Sequence, residues 1–208
     1  MNTYEMEEGL KFAVENPNFD FGVHLTVTSE WKYHKWGGIL DKAKTPSLHN
    51  SVNNFYWNKR KFVKNADLNE IKMELQAQIS LAKSMGLKPS HIDSHEGALF
   101  FDPNIFKIYI DLAIENDLLA FVPIEASMHF NGELDKPNNA VIIDQFHMLH
   151  GGTKVEDIEN FYFNVIRNLK PGLSQIIIHL GKDEPELKKI TVDPVSYTHL
   201  RAHETGYN

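Results

Sequence analysis

An α/β fold, with helices flanking a parallel sheet, is predicted by three features of this sequence. Helical and strand-like segments alternate along the chain. The run "IIIH", Ile176–His179, has no polar alternation, which suits a strand covered on both faces. Three strand ends also carry a histidine, His24, His95 and His179. In α/β barrels the loops at the carboxyl ends of parallel strands converge, so residues far apart in sequence can share one pocket there.

The elements follow in order. "YEMEEGLKFAVEN" places Met6, Leu10, Ala13 and Val14 at helical spacing, and Asn16-Pro17 ends that helix. "GVHLTVTSEW", Gly22–Trp31, alternates as a strand, with His24 expected in its core-facing row. The basic run Lys59–Lys61 reads as a solvated loop. Asp67–Met85 is the strongest helix: Leu68, Ile71, Leu75, Ile79 and Leu81 or Ala82 form a stripe, Asn65 or Asp67 can cap it, and Gly86 stops it. The strand "SHID", a helix near Asn104–Asn116, a strand over Leu119–Ile124, the apolar run "AVIID", a helix near Val155–Leu169 and the strand "SQIIIHLG" complete the pattern.

Composition narrows the function classes. With 208 residues, 42% of them hydrophobic, the chain can bury one sizeable core, although length alone leaves two small domains open. The formal charge is −7, from 21 basic and 28 acidic residues, and no Lys/Arg run is long enough to track a phosphate backbone, which argues against nucleic acid. The absence of cysteine removes disulfides, thiolate metal sites and a Cys nucleophile. Neither an apolar run of about 20 residues nor a basic-then-apolar N-terminus is present, so the chain reads as soluble and cytoplasmic, without a membrane partner.

In "HIDSHEG", His91–Gly97, alternation puts His91, Asp93 and His95 on one face if the segment stays extended. Neutral imidazole binds Zn and other divalent ions, and a nearby carboxylate can be a ligand or can orient a ligating ring. By spacing alone, that role stands beside the plainer one of hydrogen-bonded core or rim histidines. His34, His49, His129, His147 and His150 are expected at the surface. The aromatic residues of "WKYHKW" and of "FYW" at Phe55–Trp57 read as a sugar-stacking rim or as a packed loop.

The stretches "FGVHLTVTSEW", "KPSHIDSHEGALF" and "IIIHLGKDEPEL" resemble three successive motifs of the YdjC-like carbohydrate deacetylases, over about Asn16–Asp193. The resemblance implies a distorted, incomplete (β/α) barrel related to TIM-like barrels, occupying residues 1–195. It implies one divalent metal ion, Mg or Zn, held by His24 and His95, with His179 as general acid. It further implies a metal-dependent amide hydrolase that removes N-acetyl groups from amino-sugar oligosaccharides, with a small carbohydrate as partner and a homodimer as the candidate assembly. Asp93, two positions before His95 and so on the same face, is expected from that spacing to orient an imidazole or to stand in weakly as a catalytic carboxylate, beside the plainer role of satisfying backbone N–H groups at the strand end. Zn–N bonds of about 2.0–2.1 Å would place the ligating nitrogens of His24 and His95 roughly 3–4 Å apart.

Three departures from the family pattern shape further expectations. The family's first strand ends in "NADDFG" and supplies a metal ligand and a base, whereas no "DD" occurs here. A fragment is therefore expected, with no deacetylation by residues 1–208 alone. Glu96 and Gly97 stand where many relatives have histidines. Ser196–Asn208 has no amphipathic period and resembles translated adapter read-through, so it is expected to be a non-native tail. The rival readings are a non-catalytic carbohydrate-binding or structural fragment and a barrel sugar isomerase or epimerase.

Overall fold

The structure, a computed structural model, describes residues 4–130, 134, 139–149, 153–179, 185 and 189. The chain divides into two compact units, Met1–Glu30 with Lys35–Ile142, and Trp31–His34 with Ile143–Asn208. The expected tail from Ser196 lies outside the described residues, as does His150.

In the first unit, α1 (Tyr4–Glu15), β1 (Gly22–Leu25), α2 (Lys59–Asn65), α3 (Leu68–Ser84), β2 (His91–Ser94), α4 (Pro103–Asn116), β3 (Leu119–Pro123) and α5 (Ile124–His129) follow in order. They lead into β4 (Ala140–Ile143), and the sheet order is β1-β2-β3-β4. Strands β1, β2 and β3 are parallel, with Val23 opposite Ile92 and Ile92 opposite Ala120. The α/β class with a parallel sheet is therefore realised.

Register decides which face is buried. Val23, Leu25, Ile92, Ala120 and Val122 are at most 2% exposed and share a core with Ile71, Leu75 and Ile79 of α3 and Ile105, Phe106 and Leu112 of α4. His24 is on the other face, its side chain 52% exposed, so the core-facing expectation is corrected. The row that includes Val23, Leu25 and Val27 has no polar group to satisfy, whereas an imidazole in it would lose water without a partner.

Side-chain capping explains the starts of α2, α3 and α4. Asp67 caps α3 by accepting from the N–H groups of Asn69 and Glu70, and Asp102 caps α4 in the same way on Asn104 and Ile105. The basic run Lys59–Lys61 is not a loop but the first turn of α2, because Asn58 accepts from Lys61 N and Phe62 is fully buried. Helix α5 also carried no sequence signal that set it apart from loop. Helices α3 and α4 are tied at the surface by the amides of Gln76 and Asn116, which donate to each other at 3.1 and 2.8 Å.

In the second unit, β5 (Gln145–Met148) pairs in parallel with β6 (Ser174–Ile177), with α6 (Val155–Arg167) between them in sequence. The helix near Val155–Leu169 and the strand in "SQIIIHLG" are realised, whereas β5 carried no sequence signal that set it apart from loop; the residues of β6 are half-buried rather than enclosed. Asp144 and Gln145 hold the turn before β6, with Leu173 N donating to Asp144 Oδ2 at 2.8 Å and Gln145 Nε2 donating to Lys170 O at 2.9 Å. Among the described residues, no helix is long and apolar enough to cross a membrane.

Tyr109 of α4 lies beneath the sheet, its hydroxyl 2.8 Å from Ile92 O and 2.9 Å from Phe121 O. Burial first, and then the Asp93 carboxylate, push this phenol well above its ordinary range. The folded-state value thus exceeds the unfolded one of about 10, so its stabilising effect is complete below about pH 10 and is lost as pH rises through the folded value. Tyr109→Phe should cost about 1 kcal/mol at neutral pH and flatten the alkaline fall in unfolding free energy. Denaturant melts from pH 8 to 11 read both, and an unchanged alkaline slope would refute the assignment.

Candidate functional site

The site forms where β1 and β2 end. Parallel register sets His24 opposite Asp93, so both side chains share the face away from the core, and His24 Nδ1 lies 2.8 Å from Asp93 Oδ1. Strand β2 stops at Ser94, and a 3-10 segment over His95–Phe100 takes over. That change of direction puts His95 Nδ1 3.1 Å from His24 Nε2, with the two rings edge to face at 5.2 Å. On its far side, His95 Nε2 is 2.8 Å from Glu30 Oε2. Both partners are substantially covered, with side chains 18% and 25% exposed.

Two further contacts complete the surroundings. Glu96 has a left-handed backbone, φ 52°, followed by Gly97 at φ 64°, which turns the chain immediately after His95. Its carboxylate accepts from Thr28 Oγ1 at 3.2 Å and lies 3.9 Å from Lys59 Nζ, which also donates to Glu96 O at 3.1 Å. Glu30, His95 and Glu96 each offer one ligand atom, all within 4.8 Å of one another. For Glu30, burial works to raise the carboxyl value. The hydrogen bond and charge of His95, its own backbone and Lys35 outweigh it, so the carboxyl titrates below its ordinary range.

Trp36 packs edge-on to His95, with ring centroids 6.0 Å apart. The same residue helps line a polar cleft of ≈ 430 Å³ with Lys35, Asp41, His49, Asn53 and Asn54. Of the aromatic residues read as rim or packing, Phe55 is core, at 1% exposure, while Trp57 is exposed and stacks under Lys61 Nζ at 5.9 Å.

The match to the model of the YdjC-like proteins runs over residues 1–207. The chain belongs to the YdjC-like family. A carbohydrate deacetylase of Thermus thermophilus is 28% identical over 173 residues, which make up 80% of this chain and 63% of that protein. One from Thermoanaerobacter pseudethanolicus is 24% identical, covering 88% of this chain and 68% of that protein, and one from Vibrio parahaemolyticus is 34% identical over 53% and 40%. The chain thus spans about two thirds or less of the length of these curated relatives. Its fold resembles that of an Enterococcus faecalis V583 protein described as a candidate cellobiose-phosphate cleavage protein, with a TM-score of 0.70 and 21% identity over 90% of this chain and 70% of that one. That likeness is one of fold.

Within this YdjC-like chain, the structure brings together His24, Asp93 and His95 of the residues singled out from sequence. His179 is exposed, two positions past the end of β6 in the second unit. Sequence reasoning missed Glu30. The signal was available, since Glu30 falls in the alternating row of His24, Thr26 and Thr28. His91 does not join the pair. It stacks on Phe121 at 4.2 Å with 7° between the planes, and its ring occupies the space over Gly22, where an added Cβ would lie 2.3 Å from Nε2. His49 is not a surface residue but 4% exposed, meeting Thr45 O through Nδ1 at 2.8 Å and accepting from Gly38 N at Nε2.

His91→Ala should therefore lower stability by about 0.5–1.5 kcal/mol, the worth of the lost ring pair. The imidazole resonances of His24 and His95 should stay where they are. A shift of both resonances, measured beside a thermal melt, would place His91 in the site after all.

Proposed function

We propose that this protein is a metal-assisted amide hydrolase that removes acetyl groups from the nitrogen of amino-sugar oligosaccharides. His24 and His95 are the imidazole ligands of one divalent ion, zinc or magnesium, Asp93 orients His24, and His179 donates the proton to the leaving amine. The observation that carries this reading is the 3.1 Å approach of His24 Nε2 to His95 Nδ1. An ionised carboxylate only accepts hydrogen bonds, so Asp93 holds a proton on His24 Nδ1 and Glu30 holds one on His95 Nε2. The two inner nitrogens then face each other as lone pairs, an arrangement relieved by positive charge between them. Two imidazoles suit zinc, while magnesium prefers oxygen donors.

The chemistry supplied by such an ion, when bound, is polarisation of the acyl carbonyl and acidification of a water, from about 15.7 toward about 7. The protein's own groups handle the protons. Glu96, whose carboxylate rests on Thr28 and Lys59 rather than on an imidazole, takes the proton of the attacking water. The water oxygen bonds to the acyl carbon, the C–N bond breaks, and His179 protonates the departing nitrogen. Trp36 and the adjoining polar cleft offer an apolar ring beside hydrogen-bonding groups, which suits a sugar. The relatives named carbohydrate deacetylases support the same substrate class.

Zinc binding, followed by competition with a chromogenic chelator, and free-amine release from N-acetylated chitooligosaccharides test the reading together. His24→Ala and His95→Ala should each abolish zinc binding. Asp93→Asn keeps the shape, removes the charge and should weaken zinc about 10–100-fold. Unchanged affinity there would leave Asp93 as a carboxylate that merely satisfies the strand end. His179→Ala should lower turnover by ~10²–10⁴-fold while sparing zinc content. A protein that binds no zinc would overturn the metal reading. Residues 1–208 alone are expected to release no amine, so a protein that also carries the carboxylates of the family's "DD" motif, binds zinc and still leaves every acetylated sugar intact would overturn the hydrolase.

A further inference from the structure

Glu30 reaches the pair through His95 and controls its geometry from there. The carboxylate meets His95 Nε2 at 2.8 Å. It is itself fixed by the segment around it: Lys35 Nζ donates to Ser29 O at 2.6 Å, and Trp36 N donates to Ser29 Oγ at 3.0 Å, which brings the Trp36 ring against His95. The His95 ring is thus held on one edge by a carboxylate and on another by an indole.

We propose that Glu30 is the positioning residue of His95: by keeping the ring proton on Nε2 it leaves Nδ1 unprotonated and aimed at the point that His24 Nε2 also faces. This rests on the metal-assisted reading of the site and extends it. Each imidazole of the pair is then backed by its own carboxylate, Asp93 behind His24 and Glu30 behind His95. A carboxylate in that place fixes tautomer and ring orientation and strengthens the opposite nitrogen as a donor. Without Glu30, the His95 proton is free to settle on Nδ1, where it would donate to His24 Nε2 and close the gap with a hydrogen bond.

The test uses the whole chain and two readouts. Nitrogen-15 shifts of the metal-free protein report which ring nitrogen of His95 carries the proton, and cobalt(II) titration reports affinity. Wild type should show the proton on Nε2. Glu30→Ala should move it to Nδ1 and weaken cobalt about 10–100-fold. Glu30→Gln, whose amide oxygen still accepts from Nε2–H, should retain the wild-type tautomer and most of the affinity, separating positioning from a general loss of folding. Retention of the Nε2 proton in Glu30→Ala would overturn the proposal. So would loss of cobalt binding in both variants with the tautomer unchanged, since Glu30 would then be a ligand itself. If wild type binds no cobalt while the tautomer follows Glu30 as described, the metal reading fails and the positioning of His95 stands.

Discussion

The parallel register of β1 on β2 is the constraint from which the rest of the site follows. Val23 lies opposite Ile92 and His24 opposite Asp93. Because side chains alternate across a strand, these two pairings assign one face to the core and the other to the polar groups in a single step. A slip of one residue would bury His24 and Asp93 against α3 and α4 and expose Val23 and Ile92. The apolar burial that stabilises the sheet therefore also protects the site's geometry: the alternative register costs both the core and the satisfaction of two polar side chains.

Register alone would leave His95 in line with Asp93 and His91. The chain instead leaves the strand at Ser94, whose Oγ accepts from Leu99 N at 3.0 Å and so closes the turn containing His95, Glu96 and Gly97. A non-glycine residue at positive φ costs free energy, of order 1–3 kcal/mol for sparsely populated conformations, and persists where the surroundings over-determine it. Around Glu96 those surroundings are Thr28 on the side chain and Lys59 on the backbone carbonyl. The turn brings His95 back toward β1, so that the two imidazoles meet although 71 positions separate them in the chain.

Much of this was legible from residue patterns, and the failures have physical causes. The α3 stripe, the Asp67 cap and the alternation that groups Asp93 with His91 depend on local spacing, which sequence displays directly. The reading of His24 as core-facing went wrong because periodicity gives the two rows of a strand without saying which one is covered. Three-dimensional contacts decided that, through Ile71, Leu75 and Ile79. The surface assignment of His49 failed for the opposite reason. Its surroundings, "TPSLHN", read as loop, and only the fold stacks the ring on Phe55 at 5.2 Å and supplies partners for both nitrogens. Glu30 was missed although it shares the alternating row of His24, because nothing local to it shows which histidine it meets 65 positions later.

One buried carboxylate shows how the loop that presents Trp36 is fixed. Glu74 of α3 is fully buried, yet accepts from Ile39 N at 2.8 Å, Leu40 N at 2.9 Å and the Gln78 amide at 2.9 Å. Gln78 in turn exchanges bonds with the backbone of Thr26, accepting from its N–H at 3.0 Å and donating to its C=O at 2.8 Å. A lone buried charge would be strongly unfavourable, but three donors aimed at it in a low-dielectric interior make a strong, directional anchor. The helix thereby grips both the continuation of β1 after His24 and the loop after Trp36. Gly38 fits against the carboxylate only because it lacks a side chain, its notional Cβ lying 2.6 Å from Glu74 Oε2. The stripe of α3 is interrupted by two polar residues for this reason: Glu74 and Gln78 take core positions, and through them the helix that covers one face of the sheet also sets the backbone flanking the histidines on the other.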